Sequence, residues 1–144
     1  MLNKDELEGL MEACDQKQTV FISDEIYHGI EYDIRAVSAL EISDDCFVIN
    51  SFSKYFSMTG WRLGWIVVPY DYIRQFERLA QNLFICAPHI SQVAALGALD
   101  SHDELNQNLE TYRANRDLLI EQLPKIGFKL SLIHISEPTR RSTI

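Results

Sequence analysis

The chain has 144 residues, 47% hydrophobic and 24% charged, with a formal net charge of −8. That balance suits a globular chain of one domain's size rather than a disordered one. The negative charge disfavours nucleic acid and anionic membranes as partners, because both are held by basic surfaces.

No apolar run approaches the length of a membrane span, and the first residues, Met1 to Glu6, are too acidic for a secretory leader. The expectation is a soluble, cytoplasmic protein. Cys14, Cys46 and Cys86 are odd in number and far apart, which favours three reduced, buried thiols. His28, His89, His102 and His134 lack metal-ligand spacing, so no metal is expected.

Residues 5–16 predict an amphipathic helix, with Leu7, Leu10, Met11 and Cys14 on one face. Residues 19–23 are β-branched and aromatic and stop at Asp24-Glu25. A short apolar run before a carboxylate predicts a buried parallel strand with Asp24 at its C-terminal end, where open α/β sheets place ligands. Taken alone, Asp24-Glu25-Ile26-Tyr27 also reads as a solvated turn or a helix cap.

Residues 29–45 form a polar connection with a short helix around 36–40. Residues 46–50 predict the next strand, and 64–68, closed by Pro69, a further one. Helices are expected over residues 71–83, 91–99 and 104–123. The second should be buried, and the third should turn Leu105, Leu109, Tyr112, Leu119 and Leu123 inward.

Between two of these strands runs Ser51-Phe52-Ser53-Lys54-Tyr55-Phe56-Ser57-Met58-Thr59-Gly60-Trp61-Arg62-Leu63-Gly64. A lysine among small hydroxyl residues just after a strand is not placed for core packing. A partly desolvated lysine amine can form a Schiff base with an aldehyde. Arg62, eight residues on, carries a fork of donors suited to phosphate. A lone lysine of this kind is otherwise a solvated surface residue.

Ser51-x-Ser53-Lys54 with Thr59-Gly60-Trp61-Arg62-Leu63-Gly64, preceded by Asp24-x-x-Tyr27, closely resembles the signature of class I/II aminotransferases. These are pyridoxal-phosphate enzymes of the aspartate aminotransferase fold, and the resemblance runs from about residue 2 to about residue 128. It implies an α/β chain that is part of the large domain of fold type I, a mostly parallel sheet flanked by helices, truncated at both ends. Residues 1–129 would belong to that domain and begin the helix that leads to the small one.

The resemblance also implies roles. Lys54 would hold the cofactor as a Schiff base and move the proton from the substrate Cα. Asp24 would bond the protonated pyridine nitrogen and Tyr27 the phenolic oxygen. Ser51, Ser53 and Arg62 would hold the phosphate. Substrates would be an amino acid and a 2-oxo acid in ping-pong order. The protein would be a homodimer, with loop 84–89 approaching the second subunit's site.

Other parts of the family's site lie outside this stretch: a phosphate-binding loop, a ring-stacking aromatic and an asparagine before it, and the arginine for the substrate carboxylate after it. A slice of a larger sheet should leave a strand edge and an apolar face open. Residues 130–144 resemble the translation of a sequencing adapter, so a non-native tail is expected there, and His134, Arg140 and Arg141 are left out of the chemistry.

Two further readings stay open: another pyridoxal-phosphate enzyme of the same fold, such as a carbon–sulfur lyase, and a truncated product without activity of its own. A dinucleotide-binding module is disfavoured, since no Gly-x-Gly-x-x-Gly follows a strand.

Overall fold

The computed structural model describes residues 2–129, and the chain divides into two compact units, residues 1–107 and 108–144. The expected tail at 130–144 lies outside the described residues.

In the first unit, helix α1 spans Lys4–Gln16. Asn3 starts it with a reciprocal cap: its side-chain oxygen accepts from the Glu6 N–H, and the Glu6 carboxylate accepts from the Asn3 N–H, both at 2.9 Å. Leu7 and Met11 are buried as their spacing predicts, Cys14 is half-buried, and Leu10 remains exposed.

Three strands follow: β1 (Ile22–Asp24), β2 (Phe47–Ser51) and β3 (Gly64–Val67), in the order β1-β2-β3. β1 runs parallel to β2, with Asp24 opposite Ile49, whereas β3 runs antiparallel to it, with Ser51 opposite Gly64. The described strands thus make one parallel and one antiparallel pair, a portion of a larger sheet. β1 is also shorter than residues 19–23 predict, and it is not buried: Ile22 is 59% exposed. Among the described residues β1 and β3 each have one neighbouring strand, so each leaves an edge open.

Alternation along the chain at β2 sends neighbouring side chains to opposite faces. Cys46 and Val48 join Leu7, Met11 and Ala39 in one buried cluster. Phe47 faces the other way, meeting Tyr72 edge-on at 5.1 Å and Phe76 at 5.7 Å between ring centroids. Tyr72 ends a 3-10 turn, Tyr70–Tyr72, that leads into helix α2 (Ile73–Leu83). A second cluster forms where Phe52 and Met58 pack on Ala95 of helix α3 (His89–Leu99).

The outer helices are wetter than their composition predicts. In α3 only Ser91 and Ala95 are buried, while Ile90, Val93, Leu96 and Leu99 are exposed. Helix α4 (His102–Gln122) runs across the division between the units. It buries Leu105 but exposes Tyr112 and Leu119. Apolar spacing identifies which stripe of a helix is available for burial; it does not supply the surface that covers it. Of the cysteines, all three are free, yet only Cys46 is buried, and Cys86 is exposed.

In the second unit α4 gives way to a 3-10 turn, Leu123–Ile126, with Pro124 in its opening positions. Gly127, at φ 92°, ends it, and the Phe128 N–H returns to the Leu123 carbonyl at 3.1 Å.

Candidate active site

The mixed sheet makes one of its ends chemically distinct. Because β1 and β2 are parallel, Asp24 and Ser51 finish at the same end, and antiparallel β3 begins there. The segment between Ser51 and Gly64 is thus a loop that leaves and re-enters the sheet at the end marked by Asp24. Lys54 and Arg62 both sit on it.

Local bonds hold this loop. The Phe52 N–H donates to the Leu63 carbonyl at 3.1 Å, which extends the β2–β3 ladder by one step. Met58 N–H closes on the Phe52 carbonyl at 2.9 Å, and Ser57 N–H on the Lys54 carbonyl at 3.0 Å. The Thr59 hydroxyl donates to the Ser53 carbonyl at 2.7 Å. Behind it, the buried Ser91 hydroxyl of α3 donates to the Trp61 carbonyl at 2.7 Å. Nothing in the residue pattern around Ser91 announces that bond, which spans thirty positions.

Two residues of the loop, Ser57 at φ 55° and Arg62 at φ 52°, adopt the left-handed region. That conformation is uncommon for side chains other than glycine. Arg62 stands where a 3-10 turn, Thr59–Trp61, hands over to β3, and its guanidinium donates to the Thr59 carbonyl at 2.9 Å. Gly64 follows because the strands approach closely there: a Cβ would stand 2.7 Å from the Asn50 carbonyl oxygen.

The candidate residues are placed as follows. Lys54 is half-buried, and its Nζ lies 5.4 Å from the centre of the Tyr27 ring, within reach of a cation–π contact. Asp24 is exposed, and one carboxylate oxygen accepts from the Ile26 N–H at 3.2 Å, fixing the turn that carries Tyr27. Ser51 Oγ lies 2.9 Å from Ser53 Oγ and 3.0 Å from the Leu63 carbonyl oxygen, and it accepts from the Ser53 N–H at 3.0 Å. Its hydroxyl is therefore engaged inside the loop. Arg62 is exposed.

The residue pattern does not single out Glu25. Its carboxylate is 4% exposed and accepts from the Ala39 N–H at 2.8 Å and the Ser23 hydroxyl at 3.1 Å, with His28 Nδ1 3.3 Å away. Nor does the pattern single out Tyr55, whose ring lies against the backbone of Gly29. The bond to Ala39 and the seat of Tyr55 on Gly29 have no local signal, because each joins residues that only the fold brings together.

A groove of about 490 Å³ lies elsewhere, lined by residues such as Met11, Thr19, Phe21 and Asp45 that precede β1 and β2 or belong to α1. It is at the opposite end of the strands, and none of the candidate residues lines it.

An amine, a carboxylate, a phenol, two hydroxyls and a guanidinium carried at one end of an α/β sheet make a donor set for an aldehyde-bearing, anionic aromatic cofactor. The donors suit each part of pyridoxal phosphate: an amine for its aldehyde, an anion for a protonated ring nitrogen, and cationic and hydroxyl donors for its phosphate.

The chain belongs to the family of class I and II aminotransferases, whose model matches residues 1–136. It is 42% identical over 127 residues to the valine–pyruvate aminotransferase of Mycobacterium tuberculosis, covering 85% of this chain and 33% of that protein. It is 39% identical over 124 residues to an aspartate aminotransferase of Sulfurisphaera tokodaii, covering 84% of this chain and 31% of the relative. The crystal structure of a candidate aminotransferase from Silicibacter pomeroyi superposes with a TM-score of 0.85 at 63% identity, over 89% of this chain and 35% of that one. The chain thus spans about a third of the length of the relatives it matches, and its fold is a portion of theirs.

Proposed function

We infer that the chain carries the cofactor-binding segment of a pyridoxal-phosphate-dependent aminotransferase that moves an amino group between an amino acid and a 2-oxo acid. The observation that supports this reading most is the strand arrangement: parallel β1–β2 and antiparallel β2–β3 set Asp24, Ser51 and the Lys54–Arg62 loop at one end, with Lys54 Nζ beside the Tyr27 ring. Family membership supports the same chemistry.

When bound, pyridoxal phosphate supplies an electron sink for the carbanion left at the substrate Cα. Lys54 Nζ is the nucleophile toward the cofactor aldehyde. When free, it would take the proton from the substrate Cα as a base and deliver it to the cofactor carbon as an acid. The Asp24 carboxylate keeps the pyridine nitrogen protonated by pairing with it. The Tyr27 hydroxyl donates to the phenolic oxygen. Arg62 would neutralise the phosphate, with the Ser53 hydroxyl, and the Ser51 hydroxyl once it turns away from the Leu63 carbonyl, as the further donors around it.

The full protein is read as a cytoplasmic homodimer. Two features support an interface: exposed Phe84 and Ile85 in the loop after α2, and the open apolar face of α3. No helix among the described residues is long and apolar enough to cross a membrane.

The test is reductive trapping. The chain is mixed with pyridoxal phosphate, reduced with borohydride and digested, and the labelled peptide is located by mass. Selective labelling at Lys54 that disappears in Lys54→Ala is the expected result. Label spread evenly over the surface lysines would overturn the assignment. Transfer itself is checked in the full-length protein by following amino nitrogen from a labelled amino acid to 2-oxoglutarate; release of ammonia instead would point to the lyase.

A further inference from the structure

We propose that Glu25 is a positioning residue for this site: its buried carboxylate sets where the Tyr27 ring stands against the Lys54 amine. The proposal rests on the reading of Lys54 as the reactive amine. Glu25 is the buried acidic side chain of the described residues, at 4% exposure. A buried carboxylate is retained only when its lone pairs are satisfied.

Here two partners flank Glu25 in the chain and the third is remote from it. Ser23, in β1, donates its hydroxyl at 3.1 Å. His28, beyond the turn, brings Nδ1 to 3.3 Å. Ala39, fourteen positions away, donates its backbone N–H at 2.8 Å. One carboxylate therefore clamps both ends of the turn that carries Tyr27 and fastens them to a distant segment. The Glu25 N–H also donates to the Ile49 carbonyl at 2.8 Å, which ties the turn to β2 just before the lysine loop.

The turn then meets the lysine loop twice. Lys54 Nζ stands over the Tyr27 ring, and the Tyr55 ring lies against Gly29, where a Cβ would come within 2.6 Å of Tyr55 Cγ. Asp24 is exposed while Glu25 is buried, because successive residues of an extended chain point to opposite sides. Glu25 thus does not reach the reacting atoms; it acts through Tyr27, Gly29 and the loop they touch.

The experiment uses the whole chain, isotope-labelled, and reads the Lys54 ε-methylene proton shifts by NMR. In the wild-type chain these protons are expected upfield of the other lysines because of the Tyr27 ring, and Tyr27→Leu should return them to the common position. Glu25→Ala should do the same while the amide spectrum of α1 stays dispersed. Glu25→Gln should keep the upfield position, since its amide oxygen still accepts from Ala39 and Ser23. An unchanged Lys54 shift in Glu25→Ala overturns the proposal.

Should Glu25→Ala fail to fold, His28→Ala decides: it removes one clamp point and should move the Lys54 protons part of the way back, and no movement overturns the proposal. Trapping of pyridoxal phosphate is run alongside. If the wild-type chain shows no selective trapping at Lys54, the functional reading fails, while the ring-current result still decides the role of Glu25.

Discussion

Gly29 and Tyr55 fit each other through the absence of a side chain: Gly29 has φ 92°, and a Cβ built on it would stand 2.6 Å from two carbons of the Tyr55 ring. Both the backbone angle and the contact exclude a larger residue. Gly29→Ala should therefore lower stability by about 1–3 kcal/mol. Adding Tyr55→Ala should recover the steric part and leave the backbone part. Urea denaturation of the two single variants and the double variant measures the coupling.

Gly64 is constrained differently, by the Asn50 carbonyl 2.7 Å from its would-be Cβ. The neighbour is backbone and cannot swing away. Gly64→Ala should part β2 from β3 at the end where the lysine loop leaves the sheet. Faster hydrogen exchange at the β2–β3 amides near Ser51, with α1 unaffected, is the expected outcome.

At Arg62 the backbone and the side chain make separate demands. Its left-handed conformation, φ 52°, is one that glycine adopts without strain. Arg62→Gly should leave stability within about 1 kcal/mol, as relieved strain offsets the added freedom of the unfolded chain. Affinity for pyridoxal phosphate should nonetheless fall about tenfold or more, the worth of a charge-assisted hydrogen bond to phosphate. Equal affinity in the two proteins would remove Arg62 from the phosphate site.

The Cys46 thiol is pushed above the ordinary thiol range, first by burial and then by the charges of Glu25, Asp44 and Asp45. A raised value in the folded chain means that the unfolded chain releases the thiol proton first as pH rises. The stabilising contribution is complete below the unfolded thiol's pKa and is lost as pH climbs toward the folded one. Stability should therefore decline at alkaline pH, and Cys46→Ala should flatten that decline. Iodoacetamide should label exposed Cys86 well before Cys46.

The open faces of the sheet and helices predict association. Trp65 is 41% exposed on an edge strand, and Ile90, Val93 and Leu96 are exposed together on α3. Contiguous apolar surface of that kind drives self-association. Sedimentation velocity should show oligomers that grow with concentration; a monodisperse monomer with a sharp unfolding transition would contradict this.

Some of this was legible in residues close together in the chain. The helical stripe of Leu7 and Met11, the strand before Ser51, and the spacing of Asp24, Tyr27, Lys54 and Arg62 are local patterns, set by backbone periodicity and by chemistry that tolerates few substitutes. They were enough to read an α/β chain of the aminotransferase family. Burial and pairing were another matter. Leu10, Leu119 and the apolar side of α3 have the right spacing for a core yet remain exposed, because covering them takes surface from elsewhere. The antiparallel course of β3, the Glu25 clamp on Ala39 and the seat of Tyr55 on Gly29 each join residues far apart in the chain. Such contacts exist only once the fold has closed the distance, so only the tertiary structure decided them.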